Sequence, residues 1–297
     1  MKIAVAVNPQ AAFGSSKASG DKVRGLLQAA GHQTVLLRET SYQALAGHVR
    51  RVLIEGVDAL LMVGGDGMVH LGVNALAADG VPRVPLGLIP VGTGNDAARS
   101  LGIPLRDLPA AVDRFLAGAE QPRTVDLGKV TSGQRSQFFA VSLSAGFDAR
   151  VNERANSWSW PKGRQRYNLA IVRELATFRP ISYRLVVDGE TQDLEAMLIA
   201  VSNGRSLGGG MKITPDAEMD DGELDLFVVS PMSRLRFIAL FPKVFSGKHT
   251  GEAEVSIRRV RSVSIAASGV VAYADGERID ALPLQIEVLP KALTLWI

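Results

Sequence analysis

The chain has 297 residues, more than one typical domain, so two domains are expected. It is 46% hydrophobic and 21% charged with a formal net charge of +3, which fits a globular protein with a large core and argues against a dedicated nucleic-acid binder. With no cysteine, it has no disulfide, thiolate metal site or cysteine nucleophile, and it suits a reducing compartment such as the cytoplasm.

In chain order, Ile3–Val7 reads as a short apolar strand. The opening MKIAVAVNPQ is too short an apolar run for a signal peptide, because Asn8-Pro9 breaks it. Residues 17–30 place Val23, Leu26, Leu27 and Ala30 on one helical face. Val35–Leu37 is a second strand, and 42–54 repeats the helical pattern with Leu45, Val49, Val52 and Leu53. Ala59–Val63 is a strand, Met68–Ala78 a helix and Leu86–Ile89 a strand. Strands that are apolar throughout and alternate with helices predict a parallel sheet covered on both faces.

The pattern changes near Asp126. Short strands then dominate: Phe138–Leu143, Tyr183–Val187, Met197–Val201, Leu224–Val229, Val263–Ala266, Leu284–Val288 and Leu293–Ile297. Turn signals such as VDGE and MDDGE separate them, and two helical stretches interrupt, roughly 162–178 and 233–247. This predicts an antiparallel sandwich or barrel. The expectation is an α/β fold of two domains: a three-layer α/β nucleotide-binding domain over 1–125 and an antiparallel β-sandwich domain over 126–297. No stretch approaches the ~18–20 apolar residues that span a bilayer, so any membrane contact is expected to be peripheral.

Three glycine-bearing turns follow predicted strands: NPQAAFGSSK after Val7, GGDGM after Val63 and PVGTGND after Ile89. Glycine lets backbone N–H groups approach a ligand closely, and a following helix N-terminus favours negative charge. Three such turns at one sheet edge would cradle a polyphosphate. Asp66 is then a carboxylate among phosphates, tolerable if it faces a divalent cation. Taken singly, each turn is equally a tight loop between elements. GxxxxGK[ST] is absent, and GTGNDA lacks the third glycine of GxGxxG, so neither a P-loop nor a dinucleotide fingerprint is present. GRSLG at 204–208 matches a nucleophile elbow, with Asp225 and His249 following in hydrolase order. GGMKITPDAEMDDG cannot supply the helix that an elbow needs, so a hydrolase triad is rejected.

Together these motifs resemble the diacylglycerol kinase catalytic-domain superfamily, which includes bacterial soluble lipid kinases and sphingosine kinases. VNPQAAFGSS resembles its opening turn, GGDGMVHLGVNAL its G-G-D-G signature, and IPVGTGNDAARSLGIP its P-x-G-T-x-N-D-x-A-R segment. SAGFDARV, GGGMKITPDAEMDDGELDL and YADGE match later blocks in order. The resemblance implies two domains joined by a cleft, and transfer of the γ-phosphoryl group of ATP, with Mg2+, to the hydroxyl of diacylglycerol or a related lipid alcohol. It implies an ATP site lined by Asn8, Gly14, Ser15, Thr40, Gly64, Gly65, Asp66, Gly67, Gly92, Thr93, Gly94, Asn95 and Asp96. It implies Asp275 as the general base, with Asp66 and Asp126 as partners in a magnesium-organised acidic network. Read from its residues alone, Asp275 in ADGE is equally plain β-turn chemistry. The resemblance further implies a second, structural magnesium at Asp221 and the carbonyls of Glu218 and Glu223. A hairpin turn with solvated acids is the other reading there.

Two positions depart from the family pattern: Met68 stands where threonine is usual, and Leu71 where glutamate is frequent. The expected partner is a lipid at a membrane surface. Residues 157–171 are the first docking candidate, with Trp158, Trp160, Lys162, Arg164 and Arg166. A second is 233–249, with Arg234, Arg236, Lys243 and Lys248 beside large apolar residues. For both, aromatics in the core and cations on a solvated face is the alternative. Exposed β-edges would allow a homodimer. The rival functions are a kinase of a soluble acceptor resembling NAD kinase, and a non-catalytic lipid-binding or regulatory protein.

Overall fold

The computed structural model describes residues 1–9, 15–158, 160, 169–170, 173–174 and 179–297. The predicted helix 162–178 falls mostly outside them, as do Gly14, Lys162, Arg164 and Arg166. The chain forms two compact units. Met1–Leu127 with Pro290–Ile297 make the first, and Gly128–Leu289 the second.

The first unit alternates strands and helices: β1 (Lys2–Val7), α1 (Ser15–Ala29), β2 (Gln33–Leu37), α2 (Tyr42–Glu55), β3 (Ala59–Gly64), α3 (Asp66–Leu76), β4 (Leu86–Pro90), α4 (Asp96–Leu101) and α5 (Leu108–Ala117). The sheet runs β2-β1-β3-β4 and every pairing is parallel, with Ile3 opposite Ala59 and Leu60 opposite Leu86. All of β3 and β4 is buried, which is why these strands read as unbroken apolar runs. The chain winds from β1 outward to β2, then returns past β1 to β3. The order reverses between β1 and β3, and open α/β sheets bind ligands beyond the carboxyl ends of the strands at such a point.

Helix α2 shows how local chemistry holds this layer. The Ser41 hydroxyl accepts the Ala44 amide at 3.2 Å and caps the helix. Leu45, Val49, Val52 and Leu53 recur at helical spacing and all point inward. Burying four such side chains stabilises the unit by roughly 6–12 kcal/mol, an upper figure that neglects conformational entropy.

The second unit holds two antiparallel sheets. One runs β12 (Val255–Val260), β11 (Leu224–Val229), β10 (Leu198–Ser202), β7 (Ser142–Gly146), β14 (Val271–Ala274) and β15 (Glu277–Ala281). The other contains β8 (Ile181–Val187), β9 (Glu190–Ala196), β13 (Ser262–Ala266) and the first half of β16 (Leu284–Leu295), with β6 (Arg135–Phe139) paired to β5 (Arg123–Ser132). Leu143, Ile199 and Leu226 of the first sheet share one core with Tyr183, Leu185, Val263 and Ile286 of the second. Strand β8 alternates strictly, with Ile181, Tyr183, Leu185 and Val187 inside and Ser182 and Arg184 outside. Helices α6 (Phe147–Ser157) and α7 (Arg234–Ser246) cover this unit, Phe147 meeting Phe237 edge-on at 5.2 Å. This is the antiparallel sandwich expected.

Two expected elements are corrected. Phe138–Leu143 is not one strand: β6 ends at Phe139 and β7 starts at Ser142, because the amides between them serve a carboxylate described below. Leu284–Val288 and Leu293–Ile297 are one strand, β16, that runs through Pro290.

Candidate active site

In the first unit, Gly64 ends β3 and Gly65 is the extended residue before α3. The Val91 amide donates to the Gly64 carbonyl at 3.0 Å, and the Asn8 amide to the Val63 carbonyl at 3.1 Å. These bonds carry the ladder past the strand ends, so three chain segments emerge side by side. Asn95 sits in the left-handed conformation, φ 57°, where asparagine is tolerated better than most residues. Its side chain closes the turn on both sides: Oδ1 accepts the Gly92 amide at 3.0 Å and Nδ2 donates to the Gly92 carbonyl at 2.8 Å. That turn presses on the GGDG loop. A methyl group on Gly92 would stand 2.4 Å from the Gly65 α-carbon. Glycine at both positions permits this approach.

Asp66 is the first residue of α3, and its Oδ1 accepts the Ala97 amide at 2.9 Å from the first turn of α4. A methyl on Gly94 would stand 2.6 Å from Asp66 Oδ2, so this second oxygen lies under the Gly94 backbone. Asp96 is 5% exposed, with Arg99 Nη1 at 3.4 Å from its Oδ1; the same nitrogen donates to the Gly94 carbonyl. Gly67 follows Asp66 in the first turn of α3, and Thr93 is exposed in the GTGND turn. The structure therefore brings Asn8, Gly64–Gly67 and Gly92–Asp96 to one edge. Ser15 opens α1, and Thr40 is exposed in the loop leading to α2. Asp126 is wholly buried on β5, its Oδ1 accepting the amide of Lys291 at 2.6 Å. Lys291 itself has a positive φ of 51°.

The two departures from the family pattern are core residues. Met68 is fully buried, and its Cγ occupies the space beside Gly64 where a methyl would lie 2.3 Å away. Leu71 is 7% exposed.

In the second unit, Asp275 and Gly276 form the tight turn between β14 and β15, with φ of 49° and 85°. The turn chemistry is therefore real, but the Asp275 side chain does more. It is 4% exposed, and its carboxylate accepts three backbone amides: Ala140 at 2.8 Å, Val141 at 2.9 Å and Ser142 at 3.2 Å. Asn203, absent from the sequence reading, holds this strap from behind. Its side chain donates to the Ala140 carbonyl at 2.9 Å and its amide to the Val141 carbonyl at 2.7 Å. The only sequence signal was an asparagine placed just after an apolar strand, in AVSNG.

The 218–223 segment is a turn that leads into β11. Asp221 Oδ1 accepts the Glu223 amide at 3.0 Å, Asp221 lies 3.6 Å from Arg259, and Glu223 lies 3.8 Å from Arg261. Burial, together with the charges of Asp221, Glu223 and Asp216, pushes the neighbouring Asp225 carboxyl up to about 6, against the pull of Arg259. Among the described residues, no three acidic or histidine side chains converge as a ready metal cage. The rejected hydrolase triad has no support either: Ser206 is buried, an isolated bridge joins Leu207 to Met211 where an elbow helix would start, and His249 Nε2 engages the Ile213 carbonyl at 3.0 Å.

Comparison with known proteins supplies the family. Residues 2–130 match the diacylglycerol kinase catalytic domain, and residues 141–297 match the YegS C-terminal NAD kinase beta sandwich-like domain. The diacylglycerol kinase of Mycobacterium tuberculosis is 39% identical over 241 residues, 80% of this chain and 76% of that one. The diacylglycerol kinase of Bacillus subtilis is 29% identical over 260 residues, 86% of this chain and 82% of that one. A crystal structure of a diacylglycerol kinase from Bacillus anthracis superposes with a TM-score of 0.73 at 24% identity, covering 99% of this chain and 96% of that one, and shares the fold. The chain belongs to the diacylglycerol kinase family and is a lipid kinase.

Proposed function

We propose that this lipid kinase moves the γ-phosphoryl group of ATP to the free hydroxyl of diacylglycerol or a closely related lipid alcohol, with Mg2+. The observation that supports the nucleotide part is the close Gly92–Gly65 approach, which a Cβ on Gly92 would force apart and which packs two glycine turns together beyond the carboxyl ends of the parallel strands. The names of the relatives support the acceptor.

The residues fit a magnesium ion that travels with the nucleotide. Magnesium keeps several waters and takes one or two protein carboxylates beside the phosphates, so a preformed cage is not needed. Asp66 would supply that carboxylate, and Asp126 and Asp96 would belong to the same acidic network. The ion would neutralise charge developing on the phosphate oxygens.

The remaining chemistry is positioning. The amides of the GGDG and GTGND turns would hold the phosphates, and Asn8, Thr40 and Ser15 would line the nucleotide site. Asp275 would orient the acceptor hydroxyl and take its proton. Its three amide donors fix its rotamer and leave little freedom to swing. The 218–223 loop is proposed as a second magnesium site, because the crowded charges around Asp225 are what a divalent cation would relieve. We place the protein at the cytoplasmic membrane surface as a peripheral enzyme; among the described residues, no helix is long and apolar enough to cross a membrane. The test is ATP-dependent labelling of lipids in vesicles: labelled phosphatidic acid supports the reading, and labelling of only water-soluble acceptors overturns it.

A further inference from the structure

We infer that α7 (Arg234–Ser246) is a docking face that seats this kinase on an anionic bilayer. The inference deepens the proposed function and concerns a surface wholly within the second unit.

The helix is apolar on two opposite sides. At 3.6 residues per turn, Phe237, Leu240 and Val244 share one side, and all three are buried in the core. Leu235, Ile238, Pro242 and Phe245 share the opposite side. Leu235 is 81% exposed, Ile238 47% and Phe245 50%. A covering helix needs only its inner row, and its outer row is ordinarily polar. Single exposed apolar residues are unremarkable, but four on consecutive turns of one face form a strip.

The charges around that strip divide into two kinds. On one flank, Arg236 and Lys243 are committed to Glu252 and Glu254. Arg234, beside Leu235, and Lys248, just beyond the helix, are exposed and in no ion pair among the described residues. An apolar row bordered by uncommitted cations is complementary to a surface with an acyl interior and anionic headgroups. The acceptor of a lipid kinase is dissolved in such a surface. The inner row anchors the helix: Phe237 and Phe241 pack edge-on against Phe147 at 5.2 and 6.2 Å, so docking would occur through the outer side chains of a fixed helix.

The test compares wild type with the full-length triple variant Leu235→Ser, Ile238→Ser, Phe245→Ser, which changes only exposed side chains. A second variant, Arg234→Glu with Lys248→Glu, changes the charges. Partitioning onto phosphatidylcholine vesicles with and without phosphatidylglycerol is measured by sedimentation. Turnover is measured on long-chain diacylglycerol in those vesicles and on a short-chain, water-soluble diacylglycerol. The triple variant should lose about tenfold in partitioning per side chain, about 1.4 kcal/mol each. It should lose turnover on vesicles and keep turnover on the short-chain acceptor. The charge variant should lose binding only where phosphatidylglycerol is present. Unchanged partitioning in the triple variant overturns the inference, and so does a dimer that dissociates in it while vesicle binding persists, since the face would then join two copies. If wild type labels no lipid yet needs α7 to bind vesicles, the docking face stands and the proposed acceptor falls. If lipid is labelled and α7 is dispensable, the reverse holds.

Discussion

Replacing Gly92 by alanine probes the proposed nucleotide edge where its two glycine turns meet. The new methyl carbon would lie 2.4 Å from the Gly65 α-carbon, 2.9 Å from the Gly65 nitrogen and 2.9 Å from Asn95 Oδ1. Carbon atoms rest at about 3.5–4.0 Å, so one of the two turns must retreat by more than about 1 Å. Two of the three obstructing atoms are backbone, and the third is bonded to the Gly92 amide, so no flexible side chain can absorb the clash. Overpacking of this kind costs about 1–3 kcal/mol. In a unit of this size that lowers Tm by several degrees. A displacement of about 1 Å in a positioning group can lower the rate about 100-fold. The assay pairs calorimetric ATP binding with turnover, and Gly47→Ala is the control, since its added methyl meets nothing within 4 Å. Gly47 lies inside α2, where alanine should stabilise by about 0.5–1 kcal/mol. Gly92→Ala is expected to lose ATP affinity and turnover while vesicle binding holds. Wild-type ATP affinity and turnover in Gly92→Ala would refute the assignment of this edge to phosphate.

Three further outcomes are expected. Asn95→Ala removes both bonds to Gly92 and forces alanine into a left-handed conformation, destabilising by about 2–4 kcal/mol, whereas Asn95→Gly recovers the conformational share; equal urea midpoints for the two variants would contradict this. Asp275→Ala strips the partner from three buried amides at about 1–3 kcal/mol each, and Asp275→Asn, keeping one acceptor oxygen, should fall between it and wild type in stability. In chelator-treated protein, Asp225 holds its proton more tightly folded than unfolded. Its contribution to stability is therefore full below about pH 4 and is lost as pH rises through about 6; Asp225→Asn should flatten that slope in pH-dependent thermal melts.

The parallel sheet was legible because β1, β3 and β4 are buried on both faces and so carry unbroken apolar runs. The glycine turns were legible because the close approach of the two loops demands a residue type. What escaped has particular causes. Strand β9, ETQDLEA, is nearly all exposed and shows no apolar alternation; its pairing with β8 holds it. Helix α5 was hidden because Pro109 reads as a breaker, yet it sits in the first turn behind the Asp107 cap, where proline is tolerated. The run FFAVSL looks like one strand, but Ala140 and Val141 turn their amides to Asp275, 135 and 134 residues away. The same contact broke the strand and fixed the carboxylate. No local pattern reports a partner so distant, which is also why Asn203 was missed. The resemblance supplied Asp275; only the structure showed what holds it.

Lipid phosphorylation is decided by incubating ATP with a mixed-lipid vesicle panel and wild type, Asp66→Asn or Asp275→Asn. Wild type should give radiolabelled phosphatidic acid, dependent on Mg2+, and both variants should lose that product. Product from both variants at wild-type rate, or labelling of water-soluble acceptors alone, would contradict the proposed function.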